Sequence, residues 1–279
     1  MPEPRVTIRT LQEKKQRGEK IVMLTAYDYP FARLAEQAGV DALLVGDSLA
    51  MVVLGHETTL SVTVDEMLHH TRAVARATRR ALLIADMPFL SYQVNEDEAT
   101  RNAGRFLKEG GAHAIKIEGG APVVGLTHRL SRAGIPVVGH IGMTPQSVHE
   151  LGGYRVQGKD PAAAQRLLDD ALALQDAGAG LLVLELIPAE LAARITRALK
   201  IPTIGIGAGP HCDGQVQVLH DMLGLFDWFA PRHAKRYAQM GAEVERAIAA
   251  YVREVSAGEF PAGEHSFSAP ALAETPERK

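Results

Sequence analysis

The chain predicts a (β/α)8 barrel, and three features of its 279 residues carry that expectation. Apolar runs of strand length alternate with helix-periodic segments eight times between Ile21 and Val252. The runs are continuously apolar, as strands buried on both faces of a parallel sheet are. Five of them stop on ionisable residues: run 42–45 leads through Gly46 into Asp47 and Ser48, run 81–85 into Asp86, run 112–115 into Lys116 and Glu118, run 136–139 into His140, and run 181–184 into Glu185. Those C-terminal strand ends are where parallel α/β folds build their sites. An open doubly wound sheet is the structural alternative.

Each element has its own signal. Residues 7–18 predict a short helix ending at Gly18, and residues 21–25 the first strand. Asp28 is placed to cap the next helix, with Pro30 in its first turn and Phe31, Leu34, Ala35 and Ala38 as its apolar stripe. After the second strand, residues 49–62 form a long connection rich in small and polar residues. Thr63 and Glu66 have capping-box spacing, and Met67, Thr71, Val74 and Ala75 share one face of the helix they open. The third strand delivers Asp86. A helix from Glu96 then turns Ala99, Ala103, Phe106 and Leu107 inward and stops at Gly110 and Gly111.

The fourth strand delivers Lys116 and Glu118, a weaker helix runs to Gly134, and the fifth strand delivers His140. Residues 142–160 are a second long loop, containing Thr144-Pro145-Gln146 and Gly152-Gly153-Tyr154-Arg155. Pro161 opens and Gly178 closes the following helix. The sixth strand delivers Glu185, residues 188–199 are helical, and residues 202–206 form the seventh strand. The eighth strand, the weakest unit, falls within 215–220. A last long helix is expected over 232–252, with Tyr237, Met240, Val244, Ile248 and Tyr251 as its stripe. The barrel domain so defined is residues 1–267, and residues 268–279, rich in Ala, Pro and Glu, are expected to be a disordered tail.

Composition narrows the function. A net charge of -3 with scattered basic residues argues against nucleic acid as a partner. A single cysteine, Cys212, excludes an intramolecular disulfide framework and fits a reducing compartment. No basic stretch followed by an apolar one opens the chain, and no apolar run approaches the roughly 18 residues of a membrane span. A cytoplasmic protein acting on small molecules, away from membranes, is the expectation.

A lone Asp after a strand is as readily a helix cap as a site residue. Acids at four strand ends are harder to place that way, because buried carboxylates must pair, bind metal or reach water. Asp47, Asp86 and Glu118 fall on consecutive staves. There they either hold a hard cation, Mg²⁺ rather than zinc, or form a salt-bridge network with Lys116. Glu185 faces the same mouth from another side. It suits a general base beside a metal-bound carbonyl compound, or a partner for the helix that follows. His140 either orients substrate or base, or is a satisfied structural histidine. Gly205-Ile206-Gly207-Ala208-Gly209 lacks the dinucleotide-binding period, leaving a backbone cradle or tight loop geometry. In His211-Cys212-Asp213, neighbouring side chains point apart, which disfavours a metal site.

Several of these stretches stand together in a known order. Gly46-Asp47-Ser48, Ala85-Asp86-Met87-Pro88, Lys116-Ile117-Glu118-Gly119-Gly120, the run from Gly139 through Gln146, Glu185-Leu186-Ile187-Pro188 and Gly205 to Gly209 resemble the ketopantoate hydroxymethyltransferase family in sequence. The resemblance runs from Thr7 through Phe267; Ser61, in place of a proline, and Gln217, in place of an aliphatic residue, depart from it. It implies a barrel of the phosphoenolpyruvate/pyruvate superfamily. The implied reaction is transfer of a hydroxymethyl group from 5,10-methylenetetrahydrofolate to 3-methyl-2-oxobutanoate through a Mg²⁺-stabilised enolate, giving 2-dehydropantoate for pantothenate biosynthesis. By the same resemblance Asp47 and Asp86 bind Mg²⁺, with Glu118 in its shell directly or through water. Ser48 and Lys116 hold the oxo acid, together with His140 and the metal-binding Asp47 and Asp86, and Glu185 accepts the proton. A homo-oligomer, a decamer of two pentameric rings, is also implied. The alternatives are a Mg²⁺-dependent C–C or P–C lyase of the same superfamily and a non-catalytic barrel scaffold. Such a lyase typically needs a reactive cysteine on a mobile loop, and Cys212 lies outside the long loops.

Overall fold

The computed structural model describes residues 4–226 and 231–268. Eight parallel strands close into a barrel in chain order: β1 (Ile21–Thr25), β2 (Ala42–Val45), β3 (Leu82–Asp86), β4 (Ala114–Glu118), β5 (Val137–Gly142), β6 (Leu181–Glu185), β7 (Thr203–Ile206) and β8 (Gly214–Gln217). Closure excludes the open sheet. It comes through β8, which pairs with both β7 and β1, and Gly214 permits it. A Cβ there would lie 2.4 Å from the Ile21 carbonyl oxygen and 2.7 Å from the Ile204 side chain.

The connecting helices start and stop where their caps stand. These are α1 (Ile8–Gln16), α2 (Tyr29–Gln37), the short α3 (Leu49–Val52), α4 (Val64–Ala77), α5 (Glu96–Lys108), α6 (Val124–Arg132), α7 (Pro161–Asp176), α8 (Ala189–Ala198), α9 (Leu219–Leu223) and α10 (Met240–Ser256). Asp28 accepts from the Phe31 N–H at 2.9 Å, and Asp160 from the Ala163 N–H at 2.8 Å. Thr63 and Glu66 close the expected capping box: the Glu66 carboxylate accepts from the Thr63 N–H at 2.8 Å, and the Thr63 hydroxyl accepts from the Glu66 N–H at 3.3 Å.

Strand periodicity sorts the side chains into two layers. Ile21, Met23, Ala42, Leu44, Leu82, Ile84, Val138, Leu181, Val183 and Ile204 fill the barrel interior, while the intervening Leu43, Val45, Leu83 and Leu182 pack outward against the helices. The inward face of β3 continues from Leu82 and Ile84 to Asp86. That of β6 continues from Leu181 and Val183 to Glu185. The same alternation that fills the core therefore changes from apolar to charged at the C-terminal end.

The opposite end is stoppered by α1. Val6 and Leu11 belong to the interior cluster. Lys14 pairs with Asp41 at 2.7 Å just before β2, and Lys15 with Asp213 at 2.8 Å just before β8.

The eighth unit departs from the expected boundaries. β8 runs from Gly214 to Gln217, starting one residue before the 215–220 window and ending inside it, because the Thr25 hydroxyl accepts from the Leu219 N–H and α9 begins there. A long helix does not follow directly. Residues 231–239 are tied back to the barrel end instead: the Tyr237 N–H donates to the Met222 carbonyl oxygen and the Lys235 N–H to the Gln217 side chain. The last helix consequently starts at Met240 rather than 232, and none of its residues is buried. Its stripe stays exposed, Ile248 at 58% and Tyr251 at 56%. With α9 so short, the outward-pointing Val22 on β1 is also exposed. No helix among the described residues is long and apolar enough to cross a membrane. Apart from Ser268, the stretch expected as a tail lies outside the described residues.

Leu11 is fully buried under the barrel, so Leu11→Ala is expected to lower stability by about 2–5 kcal/mol in urea denaturation. A loss below about 1 kcal/mol would show that α1 does not stopper the core.

Candidate active site

Register places the charged residues side by side. Asp86 is the register partner of Lys116, Glu118 of His140, and Gly142 of Glu185. Lys116 Nζ lies 3.1 Å from Asp86 Oδ1, 3.4 Å from Glu118 Oε1 and 3.2 Å from His140 Nδ1. His140 bridges two carboxylates. Its Nδ1 is 3.1 Å from Glu118 Oε1, and its Nε2 is 3.1 Å from Glu185 Oε2 as an electrostatic contact without hydrogen-bond alignment. Asp47, in the turn after β2, donates its backbone N–H to Asp86 Oδ2 at 3.0 Å. Ser48 Oγ lies 2.8 Å from the buried Tyr27 hydroxyl. Asp47, Ser48, Asp86, Lys116, Glu118, His140 and Glu185 thus gather at one mouth, and the five from Asp47 to His140 other than Ser48 are buried.

Two residues given no role in the sequence organise this layer. Gln146, from the loop after β5, donates its side-chain amide to Asp47 Oδ2 at 2.9 Å and to the Met87 carbonyl oxygen at 3.0 Å. Its backbone N–H reaches Glu118 Oε2 at 3.0 Å. Tyr92, from the loop after β3, donates to Gln146 Oε1 at 2.7 Å and accepts from the Glu118 N–H at 3.0 Å. Gln146 stands in the stretch 139–146 that carries the resemblance, which was its available signal. Tyr92 had none, because strand and helix periodicities say nothing about a loop side chain.

The carboxylates have divergent proton affinities. Burial, with Glu118 and Asp86 adding, holds Asp47 well above the usual carboxylate range. Burial also raises Asp86, against the pull of Lys116. Burial opposes ionisation of Glu118 too, yet Lys116, His140 and the Gln146 N–H together bring it down to about 2. Burial and the Lys116 charge work against protonation of His140, but Glu118 and Glu185 push it up to about 9. Lys116 is raised by Asp86, Glu118 and Asp47 despite its burial.

Whether this layer suits a cation can be judged on its donors. Among the described residues no three His, Cys, Asp or Glu side chains form a ready-made metal cage. Glu118 spends both carboxylate oxygens on Lys116, His140 and Gln146, so Asp47, Asp86 and Glu118 are not three open ligands. The salt-bridge network that the sequence allowed is formed. Asp86 Oδ1 nevertheless accepts no hydrogen bond among the described residues, where four carboxylates face Lys116 and His140 as their cationic groups. Hard oxygens with surplus negative charge fit one divalent cation at Asp47 and Asp86.

The other motifs resolve structurally. A Cβ at Gly207 would lie 2.7 Å from Leu186, and one at Gly209 would lie 2.5 Å from Ala189; both glycines serve close packing against the turn after β6. Cys212 is buried in the layer between sheet and helices, and Asp213 pairs with Lys15 at the stoppered end. The cysteine that a lyase would need at the mouth is therefore elsewhere.

Known proteins resemble this chain along nearly its whole length. The sequence signature described as ketopantoate hydroxymethyltransferase matches residues 5–263. A 3-methyl-2-oxobutanoate hydroxymethyltransferase of Carboxydothermus hydrogenoformans is 57% identical over 271 residues, covering 97% of this chain and 98% of its own. One from Geobacter sulfurreducens is 57% identical over 262 residues, covering 94% and 98%. Among solved structures, a phosphonopyruvate hydrolase bound to oxalate and Mg²⁺ superposes with a TM-score of 0.62 at 14% identity, covering 92% of each chain. A 2,3-dimethylmalate lyase of the PEP mutase/isocitrate lyase superfamily superposes with a TM-score of 0.57 at 18% identity, covering 99% of this chain and 93% of its own. These two share the fold.

The His140 shift has a measurable consequence. A group raised from 6.5 to about 9 on folding stabilises fully below its unfolded value, and that contribution is lost as pH rises through the folded one. Metal-free protein should therefore lose about 2–3 kcal/mol between pH 6.5 and 9 in urea titrations. His140→Gln should flatten that slope; the same slope in the variant would assign it to other groups.

Proposed function

The chain belongs to the ketopantoate hydroxymethyltransferase family, and from that premise we propose that it transfers a hydroxymethyl group from 5,10-methylenetetrahydrofolate to 3-methyl-2-oxobutanoate, giving 2-dehydropantoate. One observation supports this reading most directly. Glu185 is the least buried of the four mouth carboxylates, at 13% side-chain exposure, and its close cationic contact among the described residues is His140, while Asp47, Asp86 and Glu118 are bound into the Lys116 and Gln146 network. A carboxylate open to the mouth and beside a hard-oxygen pair is placed to take a proton next to a carbonyl group.

The residues divide the work by position. Glu185 accepts the C3 proton of the oxo acid. His140, held by Glu118 from one side, stands with Nε2 3.1 Å from Glu185 Oε2 and places a cationic group beside that carboxylate. The Lys116 ammonium opposes the negative charge that develops on the oxo oxygen as the proton leaves. Ser48, steadied by Tyr27, holds the substrate carboxylate together with Lys116. Asp47 and Asp86 would hold Mg²⁺, with Glu118 in its shell through water. Bound there, the cation would supply Lewis-acid polarisation of the oxo group. Loss of the proton leaves C3 as the nucleophile: it bonds to the methylene carbon of the ring-opened folate iminium, and water then replaces the folate nitrogen on that carbon, supplying the hydroxyl oxygen and releasing tetrahydrofolate.

The folate lies, in this reading, under the loop of residues 142–160. Tyr154 of that loop reaches Met51 on α3, its hydroxyl 3.5 Å from Sδ, so the loop spans the mouth. A cytoplasmic homo-oligomer, a decamer as the family resemblance implies, completes the proposal. The exposed apolar stripe of α10 is the kind of surface that self-association buries.

Given oxo acid, methylenetetrahydrofolate and Mg²⁺, the enzyme should form a product one hydroxymethyl group heavier by mass spectrometry. With Mg²⁺ and oxo acid alone it should exchange the C3 hydrogen for solvent deuterium. Glu185→Gln should do neither while still binding the oxo acid; exchange at the wild-type rate would remove Glu185 as the base. Asp86→Asn should weaken Mg²⁺ binding by about tenfold or more in calorimetry, and unchanged affinity would remove Asp86 as a ligand.

A further inference from the structure

The backbone that carries Glu185 is held in an unusual turn. Leu186, the next residue, has φ +45°, in the left-handed region that branched apolar residues seldom occupy. Its neighbours determine that geometry from three directions. The Met143 N–H donates to the Glu185 carbonyl oxygen at 2.8 Å, the Leu186 N–H donates to the Ile206 carbonyl oxygen at 2.9 Å, and the Gln157 N–H donates to the Leu186 carbonyl oxygen at 2.9 Å. Two glycines leave room for it. A Cβ at Gly142, φ +98°, would lie 2.2 Å from the Glu185 carbonyl oxygen, and one at Gly207 would meet the Leu186 side chain.

A left-handed non-glycine residue persists only where its surroundings over-determine it, and such residues concentrate at functional sites. Here two of the restraining donors, Met143 and Gln157, belong to the loop of residues 142–160 that spans the mouth. The order of that loop and the direction of the Glu185 side chain are thus set by one pair of peptide groups. We propose that Leu186 is a positioning residue: its left-handed turn couples the 142–160 loop to Glu185 and holds the carboxylate in the direction that proton abstraction requires. This inference rests on Glu185 being the base, as proposed above.

A rigid left-handed residue holds the turn; a flexible one releases it. Glycine adopts φ +45° freely but equally adopts other conformations, whereas asparagine keeps a preference for the left-handed region. C3 deuterium exchange of 3-methyl-2-oxobutanoate with Mg²⁺ reads the base step directly. Leu186→Gly should lower the exchange kcat by about 10- to 100-fold, with KM for the oxo acid changed less than about twofold. Leu186→Asn should restore kcat to within about threefold of wild type. Circular dichroism and urea midpoints would report whether each variant is folded. Wild-type kcat in Leu186→Gly overturns the proposal, as does an equal loss in both variants, which would assign the effect to the leucine side chain. Glu185→Gln in the same assay separates the two ideas. If it exchanges normally, the base assignment fails; if it is inactive while Leu186→Gly is normal, only the positioning role fails.

Discussion

Lys116 extends from β4 into the upper layer of the barrel, where its ammonium stands 3.1 Å from Asp86 and 3.4 Å from Glu118. Without that charge the two carboxylates would be buried on neighbouring strands with no cation between them, a burden of several kcal/mol per ion. The alternation of β4 makes the pairing unavoidable, since Ala114, Lys116 and Glu118 fall on one face. Parallel register then sets Asp86 beside Lys116 and His140 beside Glu118. The apolar layers beneath are what make this arrangement strong, because they exclude water from one side of every charge in it.

Within that frame the loops assign each carboxylate a different task. Gln146 and Tyr92 come from the connections after β5 and β3 and meet above Glu118. They supply Glu118 with donors, so it stays ionised and occupied. Asp47 takes its side-chain donor from Gln146 and sits among like charges; beside Asp86 and Glu118 it is the group that an added cation would relieve most. Under the proposed function, differences of this kind would let one ring of acids provide metal ligands, a structural anion and a base without interchange among them.

The fold and the charged layer were legible because both follow from periodicity. A strand buried on both faces reads as an uninterrupted apolar run, and an ionisable residue at its end must face the mouth. Asp86, Lys116, Glu118, His140 and Glu185 were visible on that ground, and the caps Asp28 and Thr63 on the spacing of their helices, whereas Asp160 read only as the end of a loop. Gln146 and Tyr92 were not, since a loop imposes no side-chain direction. The last helix begins at Met240, later than its apolar stripe predicts, for a related reason. An apolar stripe reports that a face is to be covered, but not by what, and residues 231–239 satisfied their backbone on the end of β8 and on α9 before α10 could begin.

Glu185 differs from the other acids in where its restraint comes from. Asp86 and Glu118 are held through their side chains, by Lys116, His140 and Gln146, and moving either would break an ion pair in the core. The Glu185 side chain is paired with His140, and its backbone is gripped instead, by Met143, Ile206 and Gln157 on the carbonyl and amide groups around Leu186. A base needs this division. Its carboxylate must be free to change protonation state and to meet substrate, so hydrogen bonds that would fix its oxygens would also hold it ionised and occupied. Restraint through the main chain aims the side chain while leaving the oxygens available, and the strained φ of Leu186 follows from placing that restraint next to the reacting group.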